Sequence, residues 1–124
     1  MAMAAVSIAF EAPETTRGVS PSQSRPIDLV HLAHQTMGDK SLEVEVLQMF
    51  ARQARRALHD MVGADASATA AVAHRLKGAA SAVGAFKVSS AAETLEANGS
   101  DAAARAAVGA AVIEAENFIN KLCR

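Results

Sequence analysis

The sequence predicts an all-α protein: an antiparallel up-down four-helix bundle with a short additional N-terminal helix and an irregular N-terminal arm. Three observations support this fold class. About a quarter of the 124 residues are alanine, the residue with the highest helix propensity. Tyr and Trp are absent and only 4 Phe are present, whereas the strands of β sandwiches and barrels favour aromatic residues. After Pro26, apolar residues recur at the spacing of helices with one buried face.

Length and local composition predict how the chain is organised. A chain of 124 residues has the size of one ordinary domain. Residues 1–26 contain all 3 prolines, with Ser20, Ser22 and Ser24 close by, and such a composition resists regular structure. We therefore predict an irregular N-terminal arm over 1–26 and a helical bundle over 27–124.

Charge, hydropathy and cysteine content argue against several classes of function. The formal net charge is −1 and the isoelectric point is about 6.4, so no general basic field attracts nucleic acid. No apolar run approaches the ~20 residues of a membrane span, and the apolar start lacks the preceding Lys or Arg of a signal peptide. The single cysteine, Cys123, cannot form an internal disulfide, which favours a reducing compartment. These features predict a cytoplasmic protein without nucleic-acid or membrane partners.

The first predicted helix follows Pro26, which suits the first turn of a helix, and it stops at Gly38. Helical spacing gives its expected buried stripe as Ile27, Val30, Ala33 and Met37. This helix is short and precedes the bundle itself.

Four longer helices follow, each bounded by a start signal and a stop signal. They are predicted over about 41–62, 67–83, 86–98 and 101–122. The candidate N-caps are Asp39 or Ser41, Asp65 or Ser67, and Ser100 or Asp101. The breaks between helices fall at Gly63, Gly84, and Asn98 with Gly99. Because the connections are short, neighbouring helices are expected to be antiparallel.

The helix predicted over about 67–83 departs from helix preferences in one segment. With about 100° per residue, His74 points away from the inward face. The residues expected to face inward are Val72, Leu76, Ala79 and Val83. Gly78 lies one turn from His74 in the helix interior, where Gly costs about 1 kcal/mol relative to Ala. Apart from Lys77, the other residues expected on this outer face are small: Ala70, Ala71, Gly78, Ser81 and Ala85. We predict a flat patch from which one imidazole projects, open to a macromolecule.

The side chains on this patch suit the transfer of a phosphoryl group. A neutral imidazole can attack phosphorus through a ring nitrogen, because an ordinary histidine has a pKa near 6.5. Lys77, three residues after His74, supplies an ammonium that can offset negative charge on the transferred oxygens. We expect no carboxylate on this face to act as a hydrolytic base. A phosphohistidine would therefore persist long enough to be passed on.

The same residues resemble the signature of histidine-containing phosphotransfer (HPt) domains. The matching positions are His74, Leu76, Lys77 and Gly78, followed by Val83-Gly84-Ala85. Upstream, the residues similar to the usual HPt pattern are Ile27-Asp28, Gly38-Asp39, Leu47 and Phe50. The resemblance covers about 27–122, and it departs from the family at Ala79, where Ser is frequent.

The resemblance implies a phosphorelay intermediate. His74 would accept a phosphoryl group from the aspartyl phosphate of one receiver domain and pass it to another response-regulator receiver, with Lys77 stabilising the charge. The expected docking residues are Ala70, Ala71, Gly78, Ser81 and Ala85. Partners would be receiver domains and a hybrid histidine kinase. The protein would be a monomeric phosphocarrier, not an enzyme with autokinase activity, and it would need no cofactor or metal, since Mg²⁺ belongs to the receiver.

Other interpretations of the sequence stay open at this point. A helical adaptor or inhibitor could bind receivers or histidine kinases without carrying phosphate. A metal-holding bundle could use His31 and His34, although no third ligand accompanies them at metal spacing. Arg52, Arg55 and Arg56 form a basic cluster, which we interpret as a solvated face rather than a partner surface.

Overall fold

The computed structural model describes residues 25–124, and this part of the chain consists of five α-helices without strands. They are α1 (Leu29–Thr36), α2 (Lys40–Met61), α3 (Ala66–Val83), α4 (Phe86–Ala97) and α5 (Ala102–Leu122). The all-helical fold class is confirmed for these residues. The predicted irregular arm, 1–26, lies outside the described residues except for its last two positions.

An aspartate caps the N-terminus of four of these helices. The capping side chains, which accept hydrogen bonds from backbone N–H groups of the first turn, are Asp28, Asp39, Asp65 and Asp101. Such a cap contributes about 1 kcal/mol relative to Ala. Where the sequence offered Asp or Ser, the structure uses Asp each time. A carboxylate also interacts favourably with the positive end of the helix dipole, which a hydroxyl does not do as strongly.

The four longer helices enclose one apolar core. Helix α2 contacts α3 and α5, and α4 contacts the same two helices. Within residues 25–124, Phe50 is the one aromatic side chain in the core. The other large core side chains include Leu47, Leu76, Leu95, Val108, Val112 and Ile119. Between residues 25 and 124, no helix has the length and hydropathy needed to cross a membrane.

Helix α1 packs against α2 and α3 through a different face from the predicted one. Ile27 and Leu32 are fully buried, whereas Val30 and Met37 are 59% and 92% exposed. The predicted stripe is therefore wrong at Val30 and Met37. The helix starts only after the Asp28 cap and ends at Met37 in the left-handed conformation, with φ of 53°. Ile27 and Met37 thus lie outside the helix and do not follow its spacing.

Gly84 forms a corner where the end of α3 meets the segment leading into α1. It adopts a left-handed conformation with φ of 84°, which favours glycine. Its carbonyl accepts a hydrogen bond from the backbone N–H of Asp28 at 2.8 Å. A Cβ at this position would lie 2.9 Å from the Asp28 carbonyl oxygen, too close for a real contact. Glycine is therefore required at position 84 for two reasons, the left-handed backbone conformation and the close approach of Asp28. This corner marks the end of α3.

Candidate functional site

Helix α3 presents His74 on the side of the helix facing away from the core. The side chain of His74 is 66% exposed. The buried residues of the same helix lie on its other side and are Thr69, Val72, Ala73, Leu76, Ala80 and Val83. The helical phase predicted this outward orientation, and the exposure of the ring agrees with it.

Gly78, one turn after His74, leaves open space on the same face. A Cβ placed on Gly78 would meet no atom of another residue within 4 Å, apart from the local backbone of its own helix. Close packing of a second helix therefore does not explain this glycine. Because Gly78 has no side chain, the protein surface is lower next to the imidazole, as the sequence predicted.

The small residues expected around His74 do not all lie on this surface. Ala71 is exposed, and Ala70 and Ser81 are half-buried. The Ser81 hydroxyl is hydrogen-bonded to the Ser89 hydroxyl of α4 at 2.7 Å. The placement of Ala85 on the outer face is wrong, since Ala85 is fully buried.

The reason that Ala85 is buried is the corner at Gly84. The left-handed Gly84 redirects the chain after α3, so helical phase no longer applies beyond it. The Ala85 backbone N–H donates to the carbonyl of Ala80 at 2.8 Å, and Ala85 then becomes the residue that precedes α4. The outer face of α3 therefore ends before this residue.

A carboxylate that the sequence did not predict lies at the centre of the site. Glu96, in the last turn of α4, has Oε2 2.8 Å from Nδ1 of His74 and Oε1 2.9 Å from Nζ of Lys77. The expectation of a face without a carboxylate is wrong because it considered α3 alone. The acid comes from the neighbouring helix.

The location of Glu96 follows from the way in which α3 and α4 run beside each other. Ser81 and Ser89 are equidistant along the chain from Ala85, and so are His74 and Glu96. Pairing positions at equal distances on either side of Ala85, the residue after the predicted break at Gly84, would have placed Glu96 beside His74. This is the signal in the sequence that could have revealed the acid.

The charges of Glu96 and Lys77 stabilise one another. The side-chain hydrogen bond to Glu96 raises the pKa of Lys77 above its ordinary value, against a smaller lowering by burial. The bond from Lys77, followed by that from His74, lowers the pKa of Glu96 below its ordinary value. At neutral pH the site therefore contains an ammonium and a carboxylate, with the imidazole bonded to the carboxylate.

The remaining candidate residues lie away from this site. His31 contacts the Ala82 carbonyl through Nε2 at 3.2 Å, and its ring packs edge-on against Phe86. His34 is exposed on α1. Over residues 25–124, no group of three His, Cys, Asp or Glu residues is arranged to hold a metal ion. In the basic cluster, Arg55 is paired with Glu116 of α5.

A groove beside the site runs between α2 and α3. It has a volume of about 350 Å³. Its lining residues are Gln53, Arg56, Ala57, Asp60, Val72, Arg75, Leu76 and Ala79. His74 is not among them, so the imidazole projects from an open surface rather than into this groove.

The family model of the Hpt domain matches residues 45–122, more than half of the chain. This protein belongs to the Hpt domain family. The match begins within α2 and includes all of α3, α4 and α5. No curated protein and no solved structure matches the chain. Hpt domains are phosphocarriers that take part in histidine phosphotransfer and interact with receiver domains and kinases, and the exposed His74 of α3 lies inside the matched Hpt region.

Proposed function

We propose that this Hpt protein is a phosphorelay intermediate in which His74 accepts a phosphoryl group from the aspartyl phosphate of one receiver domain and donates it to another response-regulator receiver. The observation that carries the proposal is the exposed imidazole of His74, 66% accessible, beside the open surface at Gly78. A receiver must bring its aspartate within bonding distance of the ring. A low surface next to an exposed ring permits that approach.

The transfer needs no further group from this chain than a nucleophile and a cation. The lone pair of a ring nitrogen of His74 forms a bond to phosphorus as the bond from phosphorus to the aspartyl oxygen breaks. The electron pair of the broken bond returns to the receiver carboxylate. Lys77 lies on the same face and uses one N–H on Glu96, so its ammonium has further donors for the phosphoryl oxygens.

We also assign the architecture that supports the site to an antiparallel up-down four-helix bundle of α2 to α5, with α1 as a short additional helix. Short connections support this arrangement, since only two residues separate α3 from α4. The paired contacts at equal distances from Ala85 are those of two antiparallel helices. The docking surface then consists of Ala70, Ala71, Gly78 and Ser81 around His74.

The same proposal covers the chemistry and the setting of the protein. It acts as a cytoplasmic, monomeric phosphocarrier without autokinase activity, and its partners are receiver domains and a hybrid histidine kinase. The sequence contains no Gly-rich nucleotide-binding loop to support an autokinase. It uses no cofactor of its own, because the Mg²⁺ and the acidic residues of the reaction belong to the receiver.

The test is transfer of label from a phosphorylated receiver to the purified protein. The expected product is acid-labile and base-stable, as a phosphohistidine is. His74→Gln should take up no label, and His59→Gln should behave as the wild type, because His59 is also exposed but lies on α2. Normal labelling of His74→Gln would overturn the assignment. Receiver binding without any transfer would favour the adaptor function instead.

A further inference from the structure

A second groove lies between α2 and α5, and three arginines line it. Its volume is about 610 Å³. Its lining residues are Ala51, Arg52, Arg55, Arg56, His59 and Glu116. The basic side chains all come from α2, within about 10 Å along the helix axis. The formal net charge of the chain is −1, so this concentration of positive charge is a local feature of the surface.

This groove lies on the opposite side of the bundle from the contact between His74 and α4. Arg55 pairs with Glu116 and so joins α2 to α5, whereas His74 pairs with Glu96 and joins α3 to α4. The four longer helices contact one another in the order α2, α3, α4, α5 and back to α2. The two junctions therefore face opposite ways, and a partner in this groove would leave the imidazole accessible.

The positive charge of the groove is only partly paired. Arg55 donates to both carboxylate oxygens of Glu116, through Nε at 3.4 Å and through Nη2. Among residues 25–124, no ion pair with a carboxylate involves Arg52 or Arg56. Because a guanidinium binds a carboxylate through two parallel N–H groups, these two arginines can receive carboxylates from a partner.

The α5 side of the groove adds apolar contact. Ile113, one turn before Glu116, is 48% exposed. Gly109, two turns before Glu116, lies on the same side of α5. A Cβ on Gly109 would meet nothing within 4 Å apart from the local backbone of its own helix. A glycine inside a helix costs about 1 kcal/mol relative to Ala, and close packing does not explain it here. It leaves a low surface next to Ile113 on which an apolar side chain can pack.

We propose that the surface formed by the α2 arginines and by Gly109 and Ile113 of α5, here the α2/α5 surface, binds a partner protein through an acidic amphipathic helix. This goes beyond the proposed function, since it needs neither the ring of His74 nor a phosphoryl group. The sequence by itself favours a solvated face for the arginines. The groove, its incomplete charge pairing and the exposed residues of α5 favour a partner. Such a partner can hold this protein while a receiver reacts at His74.

The spacing of the arginines indicates the shape of the occupant. Arg52, Arg55 and Arg56 are three and four residues apart, the repeat of one helix face. A helix lying in the groove presents carboxylates at the same repeat, and its adjacent face meets Ile113. A nucleic acid or an anionic membrane would offer phosphates, which gain nothing from an exposed isoleucine and a bare glycine. Charge and apolar contact together therefore favour an acidic helix.

The first test measures binding of a designed probe to the full chain. The probe is a fluorescein-labelled peptide of about 15 residues, long enough to form a helix, with Glu on one face and Leu on the adjacent face. Fluorescence anisotropy gives its Kd. Arg52→Glu should weaken binding at least about tenfold, because it replaces an attraction by a repulsion. Lys40→Glu makes the same change in net charge at an exposed lysine of the same helix and should leave Kd unchanged.

The second test concerns the apolar part of the surface. Gly109→Leu should weaken peptide binding about tenfold by filling the low surface, with equal or higher thermal stability. The same variant should accept a phosphoryl group from a receiver at the wild-type rate, and His74→Gln should bind the peptide as the wild type does. These two variants separate the α2/α5 surface from the proposed function, so that either assignment can fail without the other.

Three outcomes would overturn the proposal: no binding of the peptide, equal losses of affinity in Arg52→Glu and Lys40→Glu, or undiminished affinity in Gly109→Leu. Duplex DNA and phosphatidylglycerol vesicles are the competing probes. Tighter binding of either one than of the peptide, with the same dependence on Arg52, would also overturn the proposal and assign the surface to a polyanion.

Discussion

On its inner face, helix α3 packs Val72, Leu76 and Val83 into the core, whereas on its outer face it carries His74 and the bare backbone of Gly78. The contribution of the inner face to stability depends on side-chain volume, since each apolar side chain fills space that would otherwise be empty. Partner binding at the outer face depends on the absence of a side chain beside the imidazole. A change in side-chain size should therefore have opposite effects on the two faces, reducing stability on one and partner binding on the other.

The largest expected effect is on the inner face. Leu76 is 3% exposed in the core, so Leu76→Ala removes buried methyl groups and leaves a cavity. We expect a loss of about 3 kcal/mol in the free energy of unfolding, measured by urea denaturation. Leu122→Ala, at a leucine that is 45% exposed, should cost much less. Equal losses in the two variants would show that burial in the core does not set the contribution of Leu76 to stability.

The next largest effect is on receiver binding at the outer face, and there a change in side-chain size should not reduce stability. Gly78→Leu places a large side chain where none stands, and we expect receiver binding to weaken by about 2 kcal/mol, roughly thirtyfold in Kd. Thermal stability should stay equal or rise, because Leu is the better helix former.

The matched control for that variant is Gly109→Leu on α5. A Cβ at Gly109 also meets nothing within 4 Å, and the position lies on a helix away from His74. It should give the same gain in helix propensity with unchanged Kd, as measured by isothermal titration calorimetry. Wild-type affinity in Gly78→Leu would show that open space at this position is not needed for docking.

The smallest effect concerns charge rather than size. Lys77→Ala removes the ammonium beside His74, and we expect phosphoryl transfer to slow by about 1 kcal/mol in activation free energy, roughly fivefold in rate. Lys87→Ala removes an exposed lysine of α4 that is paired with Glu114, and it should transfer at the wild-type rate. Rapid-quench measurement of single-turnover transfer separates the two variants. If both slow equally, the net charge of the protein rather than the position of Lys77 is responsible.

The parts of the fold that could be predicted from the sequence are those set by local pattern. The four longer helices lie where periodic apolar residues and Gly or Asn breaks placed them. His74 and Gly78 lie on the outer face of α3 because both are inside one regular helix, where a fixed turn angle relates each residue to the next.

The parts that could not be predicted depend on contacts between elements. Met37 ends α1 in the left-handed conformation, and Ala85 follows the left-handed Gly84. The helical spacing from which their positions were predicted therefore does not extend to these two residues. Glu96 belongs to α4, and its contact with His74 depends on how two helices are aligned. The side chains that one helix contributes to the candidate site were therefore predictable, but the carboxylate contributed by the neighbouring helix was not.

The close approach at Gly84 has a consequence for the segment that precedes α2. Helix α1 has only 8 residues, too few to persist by itself in water. Its attachment through the Asp28–Gly84 hydrogen bond and the buried side chains of Ile27 and Leu32 is therefore what keeps it folded. Loss of that attachment would expose apolar surface and unwind α1, while the contacts among the four longer helices persist. Detachment of this segment is therefore a local event that costs less free energy than global unfolding.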